Sequence, residues 1–160
     1  MKVKQIQLSV EVYTSVADLP AADASLLQEA RKVAEVAYAP YSRFLVGAAA
    51  RLQNGQLVAG TNQENASYPV GICAERSLLS AAATNFPNMP LEAMAISYHN
   101  KDGESTHPIS PCGVCRQTLV EFEKRTGHPI RLILGGLTGE VFVIHSAREL
   151  LPLTFTSDDL

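Results

Sequence analysis

All three cysteines of this 160-residue chain fall in two short motifs, Cys73-Ala74-Glu75 and Pro111-Cys112-Gly113-Val114-Cys115. An odd count of cysteines is poor disulfide arithmetic, and Cys-x-x-Cys in a chain expected to be cytosolic is a metal-binding pattern. Any fold must therefore carry Cys73 to Cys112 and Cys115. Three thiolates fill three corners of a tetrahedral zinc and leave the fourth to water, which separates a catalytic site from a closed structural one. Glu75, two residues after the first thiol, is placed to handle that water's protons.

The chain length suits one domain, residues 1–160, with enough residues to bury a core unaided. The net charge is −3 and the sequence pI about 5.8, so the basic footprint of a nucleic-acid binder is missing. A small molecule is the expected partner. The N-terminus alternates instead of forming the continuous apolar run of a signal peptide. No stretch approaches the ~18 apolar residues of a membrane span. A soluble, cytoplasmic protein without a membrane partner is the expectation.

Ile6, Leu8, Val10 and Val12 alternate with polar residues, which predicts a half-buried strand over about 3–13. A helix is predicted from Asp18-Leu19-Pro20 to about Tyr38, with Leu26, Leu27, Ala30, Val33, Ala34 and Ala37 at helical spacing and Pro40 as its stop. Residues 44–52 and 56–62 read as strands around the hairpin signal Asn54-Gly55. Helices are expected over 73–84 and 112–124, the second opened by Pro111. Strands are expected over 91–99, 130–135 and 140–145, with a short helix near 146–150. Strands interleaved with helices predict an α/β fold, a three-layer α/β/α sandwich around a mixed sheet.

On this reading Cys73 and Cys112 each open a helix, where partial positive charge and free amides favour the thiolate that binds metal. Cys112 and Cys115, three apart, share a helix face. Three thiolates leave a zinc ion with net charge −1, which weakens its Lewis acidity. Arg76, or Arg116, could donate to a sulfur and withdraw charge. The alternative is a structural site closed by a histidine, His107 first in sequence proximity, then His99, His128 or His145. The paired ligands usual in such sites are missing.

Around these motifs the chain resembles the small, homotetrameric cytidine deaminases with a three-cysteine zinc site. The resemblance runs from about Ala37 to the C-terminus. It is carried by Tyr41-Ser42-Arg43-Phe44-Leu45-Val46-Gly47-Ala48-Ala49, Asn62-Gln63-Glu64-Asn65-Ala66-Ser67-Tyr68, Gly71-Ile72-Cys73-Ala74-Glu75-Arg76 and Ser110-Pro111-Cys112-Gly113-Val114-Cys115-Arg116-Gln117. Arg43, Leu45 and Gln63 depart from the usual pattern, and residues 1–15 lie beyond the compact family core.

The resemblance implies zinc, one ion per subunit, held by Cys73, Cys112 and Cys115, with Glu75 as proton shuttle. It implies that Asn62 and Glu64 bind the sugar hydroxyls and that Phe44 packs against the base. Ala74 and Tyr68 would complete the substrate site. Phe155, in a tail resembling the family's C-terminal segment, would reach a neighbouring subunit's site in a homotetramer, with a dimer as the alternative assembly. The implied reaction is deamination of cytidine and deoxycytidine, as in pyrimidine salvage. Its rivals are deamination of another cytosine compound such as blasticidin S, a deoxycytidylate deaminase, a polynucleotide editor disfavoured by the acidic charge, and a non-catalytic zinc-stabilised scaffold. Only the last dispenses with Glu75, Asn62 and Glu64 together.

Overall fold

The structure, a computed structural model, describes residues 1–160. Its strands are β1 (Glu11–Tyr13), β2 (Phe44–Leu52), β3 (Leu57–Thr61), β4 (Leu91–Asn100), β5 (Arg131–Gly135) and β6 (Val141–Ile144). Its helices are α1 (Ala21–Ala34), α2 (Ala74–Asn85) and α3 (Gly113–Thr126), with short 3-10 turns between them. The strands form one sheet in the order β1-β6-β5-β4-β2-β3. Only β4 and β5 run parallel, joined through α3, and every other neighbour is antiparallel. The sheet is therefore mixed, as the interleaved elements predict.

Strand alternation divides the core into two layers. Leu26, Leu27 and Ala30 of α1 pack with Ala49, Ala93, Ala95 and Ile133 on one face. Leu78 and Leu79 of α2 and Leu119 and Phe122 of α3 pack with Ala48, Ala50, Met94, Ile96 and Leu132 on the other. Small residues let the helices lie close. A Cβ on Gly60 of β3 would sit 2.4 Å from the Leu78 nitrogen and 2.6 Å from the Ala74 carbonyl oxygen. That contact presses the first turn of α2 directly onto the sheet. None of the helices is long and apolar enough to cross a membrane.

Two boundaries differ from expectation. The N-terminal strand pairs only over Glu11–Tyr13, against Val141–Val143 of β6. β6 is four residues long, so residues 3–10 find no partner, and Ile6 and Leu8 stay exposed. Helix α1 ends at Ala34 instead of Tyr38. There Tyr38 is captured by a bridge to Gln63, its N–H donating to the Asn62 carbonyl at 3.2 Å while the Glu64 N–H donates to its own carbonyl at 2.8 Å. A pairing partner 25 residues away ends the helix before Pro40 can.

Candidate active site

Cys73 is the N-cap of α2 and Cys112 the N-cap of α3, both in extended conformation, and Cys115 lies in the first turn of α3. Ala-Glu-Arg-Ser-Leu-Leu propagates the first helix readily. The two helix starts point their unpaired amides and positive dipole ends at the same place. The Cys73 and Cys112 sulfurs are 3.9 Å apart, those of Cys112 and Cys115 3.5 Å apart. All three lie within 4.8 Å of one another. Three sulfurs at this spacing suit one soft divalent ion such as zinc.

No histidine joins them. His107 Nδ1 faces the Tyr98 hydroxyl at 3.3 Å, His99 pairs with Glu35, His128 with the Pro129 carbonyl and His145 with Glu11. The closed four-ligand alternative therefore lacks its fourth protein ligand.

The electrostatics of the cluster follow from one shared negative charge. The Cys73 thiol is drawn down to about 6, chiefly by the hydrogen bond from Cys115, against burial and the Glu75 charge, with a smaller pull from Arg76. Cys115 is pushed the other way, because it keeps its proton to donate a hydrogen bond to Cys73 and is buried. Metal binding must displace that proton. Arg76 donates to no sulfur and acts on Cys73 through its charge alone. Arg116 donates to the Pro111 carbonyl at 2.8 Å and the Leu150 carbonyl at 3.1 Å. It braces the turn that presents Cys112 and does not touch a sulfur.

Glu75 lies in the first turn of α2 and is only 5% exposed. Burial raises its carboxyl above the usual range, partly offset by its own backbone N–H and the Cys115 thiol. A buried carboxyl beside a cluster of candidate metal ligands, with its affinity for protons raised, is suited to carry a proton in both directions.

A cleft of about 200 Å³ opens beside Cys73, lined by Asn62, Gln63, Glu64, Asn65, Tyr68, Gly71 and Ile72. Tyr68 is 80% exposed at its rim, and Ala74 is fully buried behind it. The Glu64 carboxylate accepts from the backbone N–H groups of Tyr41 at 2.9 Å and Ser42 at 3.2 Å. Burial alone would raise its carboxyl, but Ser42 and these amides outweigh that and hold it below the usual range. Asn62 bonds the backbone of Phe44 and Val46.

Phe44 stacks on Tyr98, with centroids 4.9 Å apart and planes 17° apart. The sequence reading singled out Phe44 but not Tyr98 beneath it. Tyr98 stands opposite Val46 in the β2–β4 register, which puts it on the Phe44 face. That face becomes legible only once the register is known.

Phe155 is 59% exposed, and its carbonyl accepts from the Gln117 side chain at 3.0 Å. The tail around it is tacked to α3 by the Lys124–Asp158 ion pair and by the Lys124 ammonium donating to the Thr156 hydroxyl, and a capping box at Thr156 orders the tail itself. The backbone is thus held while the aromatic ring points away from its own core.

A model of the family described as "Cytidine and deoxycytidylate deaminase zinc-binding region" matches residues 20–127. The cytidine deaminase of Halalkalibacterium halodurans is 38% identical over 135 residues, covering 84% of this chain and 95% of the relative. That of Mycobacterium tuberculosis is 35% identical over 146 residues, covering 89% and 96%. The crystal structure of cytidine deaminase from Burkholderia pseudomallei superposes with a TM-score of 0.71 at 39% identity, covering 82% of this chain and 97% of that one. Sequence, fold and sulfur cluster agree, and the chain belongs to the cytidine and deoxycytidylate deaminase family of zinc-binding proteins.

Proposed function

We propose that this protein hydrolyses the C4 amine of cytidine and deoxycytidine, consuming one water and yielding uridine or deoxyuridine and ammonia. The observation that carries the reading is buried Glu75, placed beside three clustered sulfurs that have no fourth protein ligand. Cys73, Cys112 and Cys115 would hold the zinc. When bound, zinc lowers the pKa of a water in its open position and so supplies a nucleophile near neutral pH.

The chain's own residues do the rest. Glu75 accepts the water's proton and delivers it to N3 of the cytosine ring as C4 is attacked. It then moves a second proton from the new C4 hydroxyl to the departing amine. Ala74 lies at the start of α2, where backbone groups can fix the base, and Phe44 packs against the base face. Glu64 keeps one oxygen, Oε1, free of the Tyr41 and Ser42 amides, and this oxygen can accept from a sugar hydroxyl. The cleft lining contains a carboxylate and no lysine or arginine. A nucleoside therefore fits better than the phosphorylated substrate of a deoxycytidylate deaminase.

Tyr68, in the cleft lining, and Phe155, in the C-terminal tail, are aromatic side chains left exposed. They support a homotetramer in which Phe155 closes a neighbouring subunit's cleft. Three free thiols suit a reducing cytoplasm, and the reaction suits pyrimidine salvage.

The test is the ultraviolet change on incubating zinc-loaded protein with cytidine, deoxycytidine, deoxycytidine monophosphate and blasticidin S. Turnover of the first two alone is expected. Turnover of only the monophosphate or only blasticidin S would overturn the substrate assignment.

A further inference from the structure

The chain beyond β6 returns along α3. Arg116 donates to the Leu150 carbonyl at 3.1 Å, Gln117 to the Phe155 carbonyl at 3.0 Å, and Lys124 reaches Asp158 at 2.6 Å. Gln117 and Lys124 lie about two turns apart on one face of the helix. The Lys124 ammonium also donates to the Thr156 hydroxyl at 3.5 Å. Thr156 is the one buried residue of the segment 151–160. Its backbone is extended, with φ −139° and ψ 172°. Successive side chains of extended backbone point to opposite sides. Holding Thr156 inward against α3 therefore turns Phe155 outward, where its ring is exposed.

The segment just before Phe155 needs holding. Leu153 takes a left-handed φ of 56°. That conformation is strained for a leucine and persists only where the surroundings over-determine the backbone. Thr154 closes the turn by donating its hydroxyl to the Leu151 carbonyl, while Arg116 fixes the chain before the turn and Lys124 fixes it after. The capping box between Thr156 and Asp159 stiffens a 3-10 turn of 3 residues. A turn that short does not hold together without a tertiary contact. Lys124 supplies that contact. It holds the Asp158 carboxyl below its usual range, with smaller contributions from Thr156 and Arg148.

We propose that Lys124 is a positioning residue for the reaction: by clamping Thr156 and Asp158 to α3 it presents Phe155 outward, poised to close a neighbouring subunit's cleft. This rests on the reading that Phe155 enters such a cleft. One helix then serves two sites. Its start carries Cys112 and Cys115, and its outer face aims an aromatic ring at the site of a second copy. A ring already aimed loses less freedom when it closes over substrate. The clamp therefore acts on substrate binding and not on the chemical step.

Steady-state kinetics on cytidine test it. Lys124→Ala should raise KM by about 2–5-fold, the range of one partly exposed ion pair, with kcat close to the wild-type value. In a Phe155→Ala background the same substitution should leave KM unchanged within about 1.5-fold, because the two losses share one route. Equal KM losses in both backgrounds would overturn the route through Phe155. Lys124→Glu sets like charges together and should raise KM further, and adding Asp158→Lys should recover most of that loss. No recovery in the doubly substituted protein would overturn the clamp.

Where Lys124→Ala does not fold, Asp158→Asn breaks the same pair at a side chain 84% exposed, and the same readings apply. A raised KM in Phe155→Ala beside an unchanged KM in Lys124→Ala would overturn the clamp alone. A wild-type KM in Phe155→Ala would overturn the clamp together with the reading it rests on. Wild-type protein inactive on cytidine would sink the nucleoside reading by itself. Backbone amide exchange at Thr156 then tests the clamp, with an acceleration of about 2–5-fold expected in Lys124→Ala and unchanged exchange overturning it.

Discussion

Two glutamates of the proposed site sit in opposite environments, Glu64 lining the cleft and Glu75 buried two residues after Cys73. Glu75 is buried on a helix, and burial lifts its carboxyl above the usual range. Glu64 sits on a loop, and backbone amides hold its carboxyl below that range. The two belong to two walls. The proposed chemical wall is made of helix starts, with Cys73, Glu75, Cys112 and Cys115 all within one turn of an N-terminus. The proposed recognition wall is made of loops, with Asn62, Glu64 and Tyr68 held by long-range hydrogen bonds or left exposed, and the exposed Phe155 of the tail is proposed to join a neighbouring subunit's wall. Reactive groups need fixed geometry and a tuned proton affinity, which a packed helix supplies. Recognition groups must admit and release a substrate, which loops supply.

The sharpest break of the chemical wall is loss of the metal. Chelation, or Cys112→Ala, should abolish turnover while leaving the recognition residues folded. Activity surviving in protein shown by elemental analysis to be zinc-free would refute the metal's role. Next is Glu75→Gln, expected to cut kcat by ~10²–10⁴-fold, the usual range for a positioned acid-base group. Zinc content should remain near one per chain. A zinc-loaded variant with normal kcat would end the proton-shuttle assignment.

The glutamate contrast predicts two different acid limbs. Glu75 must be ionised to take the water's proton, and its carboxyl is raised. Three thiolates around zinc leave a net negative charge, which raises it further. The kcat profile should therefore fall by about tenfold per pH unit below a midpoint above the ordinary carboxylate value. Glu64 is shifted down, so it stays ionised through that range. Its release of Tyr41 and Ser42, read as a rise in KM, should come only at more acid pH. A kcat midpoint at or below the ordinary value would mean that burial does not govern Glu75.

Smaller effects belong to the recognition wall. Phe155→Ala should raise KM by about 2–10-fold with kcat little changed, the range for a lost aromatic contact. An effect on kcat equal to that of Glu75→Gln would move Phe155 to the chemical wall. Smallest of all is removal of residues 1–9, which lie beyond the paired part of β1. Stability should change by no more than ~0.5 kcal/mol. A large fall in the melting temperature would show that the arm is fastened more firmly than its exposure indicates.

The sulfur cluster and the placement of Glu75 beside it were almost fully legible in the chain. Cys73, Glu75, Cys112 and Cys115 lie within two local motifs, and their placement at helix starts follows from neighbours such as Pro111 and Ala74. The α2, α3, β2 and β4 boundaries came out within two residues for the same reason, since 3.6 and 2.0 periodicities are local properties. Where the reading missed, the cause was distant. Tyr38 left its helix because it pairs with Gln63. Residues 3–10 failed to form a strand because β6 is too short to receive them. Tyr98 went unnoticed because its face depends on register. Arg116 reads as a sulfur donor by adjacency, yet it bonds the carbonyls of Pro111 and Leu150.

By itself the sequence determined the three-cysteine cluster and the α/β alternation, because each depends on residues within a turn or two of one another, and it named Glu75 as the proposed proton carrier. Tertiary structure alone decided that no histidine closes the cluster, that burial raises Glu75 while amides lower Glu64, and that Asn62 bonds the backbone of Phe44 and Val46. Those outcomes depend on distance, dielectric and unpaired backbone groups, which exist only after segments far apart in the chain have met.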